Sequence, residues 1–403
     1  MDFTKLFHDK TAFERECLQQ RMEMYGFKNM SRMELFLWDL ELFLQIQKRL
    51  GEHVVLKGGA AAQFYLPIEA QRTSVDIDMI FCGDEGDIKN TLDDITKCLK
   101  EDSEFFNFTE HIPVNPKTNL PMHTYYVNVP SALTNKERNA ADNTVDQLEL
   151  KIEFIMETEA CEFVRNTGKN IFAVKSNFEY QLLPISHLLA DKFTTIGCET
   201  IGVQNDRMDE QIKQFYDVMM LTTYQLDALD VAETRRKYLY RAEKEWHDRR
   251  KSTYDPKEIM NDVRRQLLRY SMADSGEDIV LKKHINDFKA LYLNGRIEFN
   301  PQIVACGAAK IRLMYDAMLN DDNWDTVKKA LSIEKELELN HYEGREKGNK
   351  TKEVREMLIR EFQSHSAIEA NILKGKNLKR VFWAIADKDD LDEIQEKVFG
   401  LVD

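Results

Sequence analysis

The 403-residue sequence contains no run approaching the roughly 20 consecutive apolar residues that a membrane-spanning helix requires. Its opening residues, Met1 to Lys5, lead into charged, helix-compatible sequence without the apolar stretch of a secretory signal. None of the cysteines (Cys17, Cys82, Cys98, Cys161, Cys198, Cys306) stands at CxxC spacing from another, so neither a disulfide framework nor a zinc cluster is expected. Free thiols without an export signal lead to the expectation of a cytoplasmic protein. The sequence has no internal repeat and no low-complexity tract. An excess of positive charge is missing too. The formal charge of −14 argues against a protein that coats nucleic acid, although it leaves room for a local basic groove.

What is present describes a folded protein. The apolar fraction is 43%, and the length suffices for two or three domains. Residues 1–50 read as helical. Ser31 and Glu34 have the spacing of a capping box, and an apolar stretch follows from Leu35 to Leu50 before Gly51. Val54 to Leu56 is a short strand signal, and Ala60 to Leu66 a brief helix halted by Pro67. Ser74 to Phe81 alternates, as does Leu148 to Met156, while 86–100 reads as helix. Strands are expected at 105–114 and 122–129, joined by a turn through 115–119. From about Pro184 onward the pattern is helical, broken at 197–205 and by a polar loop at 344–350. The expected fold class is therefore α+β: a helical segment over 1–50, a mixed α/β domain over 51–183, a helical domain over 184–343 and a C-terminal helical segment over 351–403.

Two features carry chemistry. On an alternating strand, Ser74, Asp76 and Asp78 share one side while Val75, Ile77 and Met79 take the other. Carboxylates inside an apolar strand are costly to bury unless they bind something, which points to a metal site. A third carboxylate from the second alternating strand would complete a site for two Mg²⁺ ions, with Mn²⁺ as the alternative. Glu149 and Glu153 both lie on the polar side of that strand, together with Lys151. The second feature is Gly58-Gly59, next to Lys57. Without Cβ atoms, the backbone can approach phosphate oxygens closely.

Leu56 to Gly59 followed by Arg72-Thr73-Ser74-Val75-Asp76-Ile77-Asp78 resembles the first motif of the AbiEii-type abortive-infection toxins. These form a branch of the polymerase-β-like nucleotidyltransferase superfamily. Leu150 to Glu153 resembles the family's Lys-x-Glu strand, Leu188 to Lys192 its helix with an acidic residue before lysine, and Lys213 to Asp217 its basic–Asp–x–x–Asp helix. The resemblance spans roughly 50–222. It implies a polymerase-β-like domain with a mixed sheet, followed by a mainly helical region. It also implies metal ligation by Asp76, Asp78 and Glu153, a triphosphate contact at Lys192, and an orienting role for Asp217. Lys57, Gly58, Gly59, Ser74, Lys151 and Lys213 would surround the nucleotide. Two positions depart from the family pattern: Ala60 where a hydroxyl residue is common, and Gln214 where an aspartate is usual.

By the same resemblance the activity is transfer of NMP from an NTP to an acceptor, in a toxin restrained by a separately encoded antitoxin. The leading acceptor is tRNA or another RNA. Residues 235–251 are rich in Lys and Arg, and Arg235, Arg236, Arg249 and Arg250 are the candidate RNA contacts. The alternatives are a protein or small-molecule acceptor, or an inert relative that acts by binding.

Overall fold

The alternating segment at Asp76 forms the central strand of a mixed sheet. The computed structural model describes residues 5–100, 106–112, 121–134, 148–249, 252–320, 324–363, 366–386 and 390–402. Its strands are β1 (Val54–Leu56), β2 (Asp76–Phe81), β3 (Phe108–His111), β4 (Met122–Val129), β5 (Leu148–Met156), β6 (Val164–Thr167) and β7 (Glu179–Leu182). They lie in the order β3-β4-β5-β2-β1-β7-β6. The pairs β2–β5 and β1–β7 are parallel, and the remaining neighbours are antiparallel. The turn expected at 115–119 falls outside the described residues. The short strands β6 and β7 were not anticipated. Each has only four residues, too few for a clear alternation, yet β7 extends the sheet beside β1.

Helix α1 (Arg15–Tyr25) precedes α2 (Met30–Leu50), which packs against β1, β2, β5 and β7. That position explains why α2 is apolar around most of its circumference and ends at Gly51, whose φ is +61°. The expected capping box is overturned. The helix begins before Ser31, and the Asn29 side chain caps it by accepting from the Arg32 N–H at 3.1 Å. Glu34 is fully buried and accepts instead from Ser131 Oγ (2.8 Å) and the Ala132 N–H (2.5 Å).

The short α3 (Gly58–Gln63) follows β1, and α4 (Glu85–Lys100) follows β2. The helical remainder comprises α5 (Ile185–Thr194), α6 (Met208–Tyr224), α7 (Val231–Arg249), α8 (Pro256–Ser271), α9 (Ile279–Tyr292) and α10 (Pro301–Leu319). Beyond these lie α11 (Trp324–Glu336), α12 (Gly344–Gln363), α13 (Ala367–Leu373), α14 (Leu378–Ile385) and α15 (Leu391–Val402). The polar loop expected at 344–350 is in fact the start of α12. Its Glu and Lys residues are good helix formers, and polarity there marks a solvated first turn rather than a break.

One hydrophobic cluster runs from Ala12 to Leu319 and joins the sheet to α1–α10. A second lies among α11–α15 and reaches Ala309 on α10. Where α14 meets the end of α8, Arg380 and Asp274 form a buried ion pair at 3.1 Å, and Lys376 also reaches Asp274 at 3.3 Å. No helix among the described residues is long and apolar enough to cross a membrane.

Candidate active site

Register places the candidate residues. In the parallel β2–β5 pair, Asp76 lies beside Lys151 and Asp78 beside Glu153, so four charged side chains share one face. Ile77, Met79, Ile152 and Phe154 point the other way and are fully buried. Glu149 sits further along the polar face, is exposed, and pairs with Asn128 rather than with β2. Burial pushes the Asp78 carboxyl up to about 7, reinforced by the nearby negative charges of Glu153 and Asp76 and opposed by Lys57 and Lys192. Glu153 is held by Lys151, whose Nζ lies 2.6 Å from Oε1, and by the Thr124 hydroxyl at 3.4 Å. Burial works against the Lys151 charge, but Glu153 outweighs it and raises the ammonium pKa.

The Gly-Gly turn is shaped by charged side chains. Gly58 has φ +68°, and a Cβ there would overlap Asp78 Oδ2 and stand 2.8 Å from the Asp78 Cβ. A Cβ on Gly59 would overlap Arg72 Nη2 and stand 3.2 Å from both Arg72 Cζ and Ser74 Oγ. Lys57, just before the turn, donates its backbone N–H to the Asp78 carbonyl at 2.9 Å. Its ammonium donates to Asp191 of α5 at 3.0 Å. Ala60 is buried within α3, so the position where the family commonly carries a hydroxyl is closed to solvent here.

A buried ionic network lies behind the turn. Arg72 grips Asp217 of α6 through Nε–Oδ1 and Nη2–Oδ2, both at 2.7 Å. Lys192 reaches the same Oδ2 at 2.8 Å and donates to Gln214 Oε1 at 2.6 Å. Burial opposes ionisation of Asp217, yet Arg72 and then Lys192 outweigh it and hold the carboxyl below its usual range. Asp191 is likewise held low against burial, by Lys57 and Arg241. Gln214, which departs from the family pattern, serves as a neutral acceptor for Lys192.

Other expected residues are placed differently. Lys213 lies one turn before Asp217, but its Nζ stands 5.4 Å above the Tyr292 ring, which the Arg32 guanidinium also approaches at 5.0 Å. Tyr292 is tied to the motif, because its carbonyl accepts from the Thr73 N–H at 3.0 Å. On α7 the basic residues are largely engaged. Arg236 pairs with Glu233 at 2.6 Å and Arg249 with Glu245 at 2.9 Å, while Arg241 and Lys244 both hold Glu157. Arg235 is half-buried, and Arg250 lies outside the described residues.

Three participants escaped the sequence reading. Arg72 was visible as a charge immediately before the Ser-x-Asp-x-Asp strand, but its partner is 145 residues away. Arg241 was counted with a surface patch, although its charge acts on Asp191 and Lys57. Asp39 of α2 is buried, and neither carboxyl oxygen has a hydrogen-bond partner among the described residues. Burial, then Asp76 and Asp78, push its pKa well up, which favours the neutral form. Nothing in the apolar pattern of α2 marked it.

Two groups of three ligand-type side chains have donor atoms within 4.8 Å of one another among the described residues: Glu85, Glu110 and His123, and Glu162, His187 and Glu233. Lys237 already stands 3.4 Å from Glu162 in the second. Asp76, Asp78 and Glu153 are not such a group, and Glu153 is paired with Lys151. As a donor set they suit a hard, oxygen-ligated divalent cation, and the displaced pKa of Asp78 marks negative charge that a cation would relieve.

Comparison with known proteins places the chain in a family. No curated protein matches the chain. Among solved structures, JHP933 from Helicobacter pylori is similar at 12% identity and a TM-score of 0.37, covering 78% of this chain and 95% of its own. A candidate nucleotidyltransferase from H. pylori is similar at 14% identity and a TM-score of 0.38, covering 72% and 96%. At those scores the likeness adds nothing to the argument. The family described as nucleotidyl transferase AbiEii toxin, of the type IV toxin–antitoxin system, matches residues 42–297. That match spans more than half of the chain and encloses every candidate residue from Lys57 to Arg250, so the chain belongs to the AbiEii nucleotidyl transferase toxin family.

Proposed function

We propose that this nucleotidyltransferase moves a nucleoside monophosphate from an NTP to the 3′ end of an RNA, with tRNA as the leading acceptor. In doing so it acts as the toxin of a toxin–antitoxin or phage-defence pair, restrained in the cytoplasm by a cognate antitoxin. The observation that carries the reading is the crowding of carboxylates on the shared face of β2 and β5, where Asp78 is held up to about 7. Asp76 and Asp78 would hold a divalent cation, Mg²⁺ or Mn²⁺, with Glu153 as third ligand on leaving Lys151. When bound, the ion supplies acidity to the acceptor hydroxyl and neutralises charge on the triphosphate.

The side chains of the chain do the rest. Lys192 contacts the triphosphate while Asp217 orients its ammonium. Lys57, Lys151 and Lys213 add positive charge around the nucleotide, and Ser74 with the Gly58-Gly59 backbone lines the phosphate side. The acceptor oxygen attacks the α-phosphorus, the bond to the bridging oxygen breaks, and pyrophosphate leaves. With a net charge of −14 and with Arg236 and Arg249 already paired, an RNA would be met at its end rather than along a duplex.

That same pairing favours a second reading, transfer to a protein or small-molecule hydroxyl. Incubation with Mg²⁺, each α-labelled NTP and either total tRNA or total cell protein separates the two. Label on RNA that is lost in Asp76→Ala and Asp78→Ala supports the first. Label on protein alone replaces it with the second, and no label with any NTP overturns both. Replacement of Arg235, Arg236, Arg249 and Arg250 should weaken RNA affinity in a salt-sensitive way, and unchanged affinity would remove α7 from the RNA site.

A further inference from the structure

Three side chains, all at most 4% exposed, meet behind the Gly-Gly turn: Arg72, Lys192 and Asp217. Two are cations and one is a carboxylate. Among the described residues, the other acceptor of the Lys192 ammonium is the neutral amide of Gln214. Within hydrogen-bonding reach, the group therefore carries one positive charge more than it balances. Buried ionic groups are costly to desolvate and add little net stability, so stability alone does not account for a second cation here.

The two cations are held differently. Arg72 takes both oxygens of Asp217 in a planar fork, a geometry that fixes the orientation of the carboxylate. Lys192 has a flexible stem and touches only Oδ2. The fork is itself locked. The Arg72 backbone N–H donates to Gln63 Oε1 at 2.8 Å, and Gln63 Nε2 donates to the Gly59 carbonyl at 2.8 Å. Arg72 Nη1 donates to the Thr73 carbonyl at 2.8 Å, on the segment that leads into β2. Any Cβ on residue 59 would occupy the place of Arg72 Nη2.

We infer that Arg72 is a positioning residue, which by its two-point grip on Asp217 sets the place from which the Lys192 ammonium meets the NTP phosphates, and that Gly59 is required to admit the Arg72 guanidinium. The second glycine of the turn thus makes room for a side chain as well as lining the phosphate side. The surplus positive charge is presented through Lys192, which meets a single oxygen of Asp217. This rests on the reading of Lys192 as a triphosphate contact.

A double-mutant cycle on the full-length protein tests it, with pyrophosphate release from Mg²⁺-NTP and total tRNA as the assay. Arg72→Ala should lower kcat/KM by about 100-fold, the scale of a misplaced catalytic group. In a Lys192→Ala background the same change should cost less than about threefold, because its target is already gone. Gly59→Ala should reproduce the Arg72→Ala phenotype. Guanidinium ion at millimolar concentration should restore at least about tenfold of the loss in Arg72→Ala and none in Lys192→Ala. Fully additive losses, with no guanidinium rescue, would mean that Arg72 is only structural and would overturn the inference while leaving Lys192 in its role. Unchanged activity in Lys192→Ala would overturn both. Melting curves accompany each variant. If Arg72→Ala does not fold, Arg72→Lys, which keeps the charge but loses the fork, must show the same non-additivity with Lys192→Ala or the inference fails.

Discussion

Gly58 and Asp78 are in direct apposition: the Asp78 side chain occupies the space that a Cβ at 58 would need. The turn and the acidic strand are therefore one unit, and the first glycine is dictated by the aspartate it faces. Gly58→Ala would meet both a φ of +68° and this overlap. The backbone term alone costs about 1–2 kcal/mol. Activity should fall by about 100-fold through displacement of Asp78. A melting curve and a pyrophosphate-release assay check this; retained activity would show that Asp78 tolerates displacement and is not the group that matters.

Protons and metal ions compete for Asp78. With its carboxyl at about 7, metal binding should strengthen by about tenfold per pH unit on approach to pH 7 and level off above it. Titration of Mn²⁺ at pH 5.5, 6.5, 7.5 and 8.5 reads this directly. An affinity independent of pH would remove Asp78 from the ligand set. Chelation of divalent ions should abolish transfer, and adding back Mg²⁺ or Mn²⁺ should restore it.

The same group bears on stability. In the unfolded chain an aspartate titrates near 3.9, so between that value and about 7 the folded state binds more protons. Stability contributed by neutral Asp78 is therefore full below the unfolded value and lost as pH rises through the folded one. The displacement corresponds to at most about 4 kcal/mol. Solvent reaching this half-buried side chain reduces it to on the order of 2 kcal/mol. Metal-free Asp78→Asn should thus melt higher than wild type at pH 8, and the gain should fade as pH falls toward 4. Equal melting points at pH 8 would contradict this.

At the start of α2, Asn29→Ala should cost about 1 kcal/mol and Ser31→Ala much less, because Asn29 provides the cap. Denaturant unfolding of both variants distinguishes them. The reverse order would restore the capping box that the sequence spacing implied.

Asp274→Ala would leave the buried Arg380 guanidinium without its carboxylate. Loss of one partner of a buried pair costs about 3–5 kcal/mol, here at the junction between the two hydrophobic clusters. Limited proteolysis should then cut first between α10 and α15. An unchanged digestion pattern would show that apolar packing alone holds α11–α15 in place.

Much of this was legible in the residues because it is local. Asp76 and Asp78 fall on one face of a strand through the two-residue period of extended chain, and Glu153 does so for the same reason. Gly51 after an apolar run marks the end of α2 because backbone at positive φ suits glycine. The α+β class follows from such periodicities, summed along the chain. Where the reading failed, local pattern and tertiary context diverged. Ser31 and Glu34 have capping-box spacing, yet Glu34 is drawn to Ser131 and Ala132 after β4. The polar start of α12 looks like a loop only until the remainder of the helix packs.

The residue types and their alternation dictate that two aspartates line one side of a strand and that a glycine pair precedes them. Short-range geometry allows no other outcome once the strand forms. Which charges answer one another was decided by the tertiary structure. Arg72 meets Asp217 across 145 residues and Lys57 meets Asp191 across 134, and nothing in the intervening sequence encodes those distances. The cations of α7 read as an open basic face, but burial against Glu157 turns Arg241 and Lys244 inward. A buried charge takes the partner that the fold brings within reach, because an unpaired one is too costly to leave.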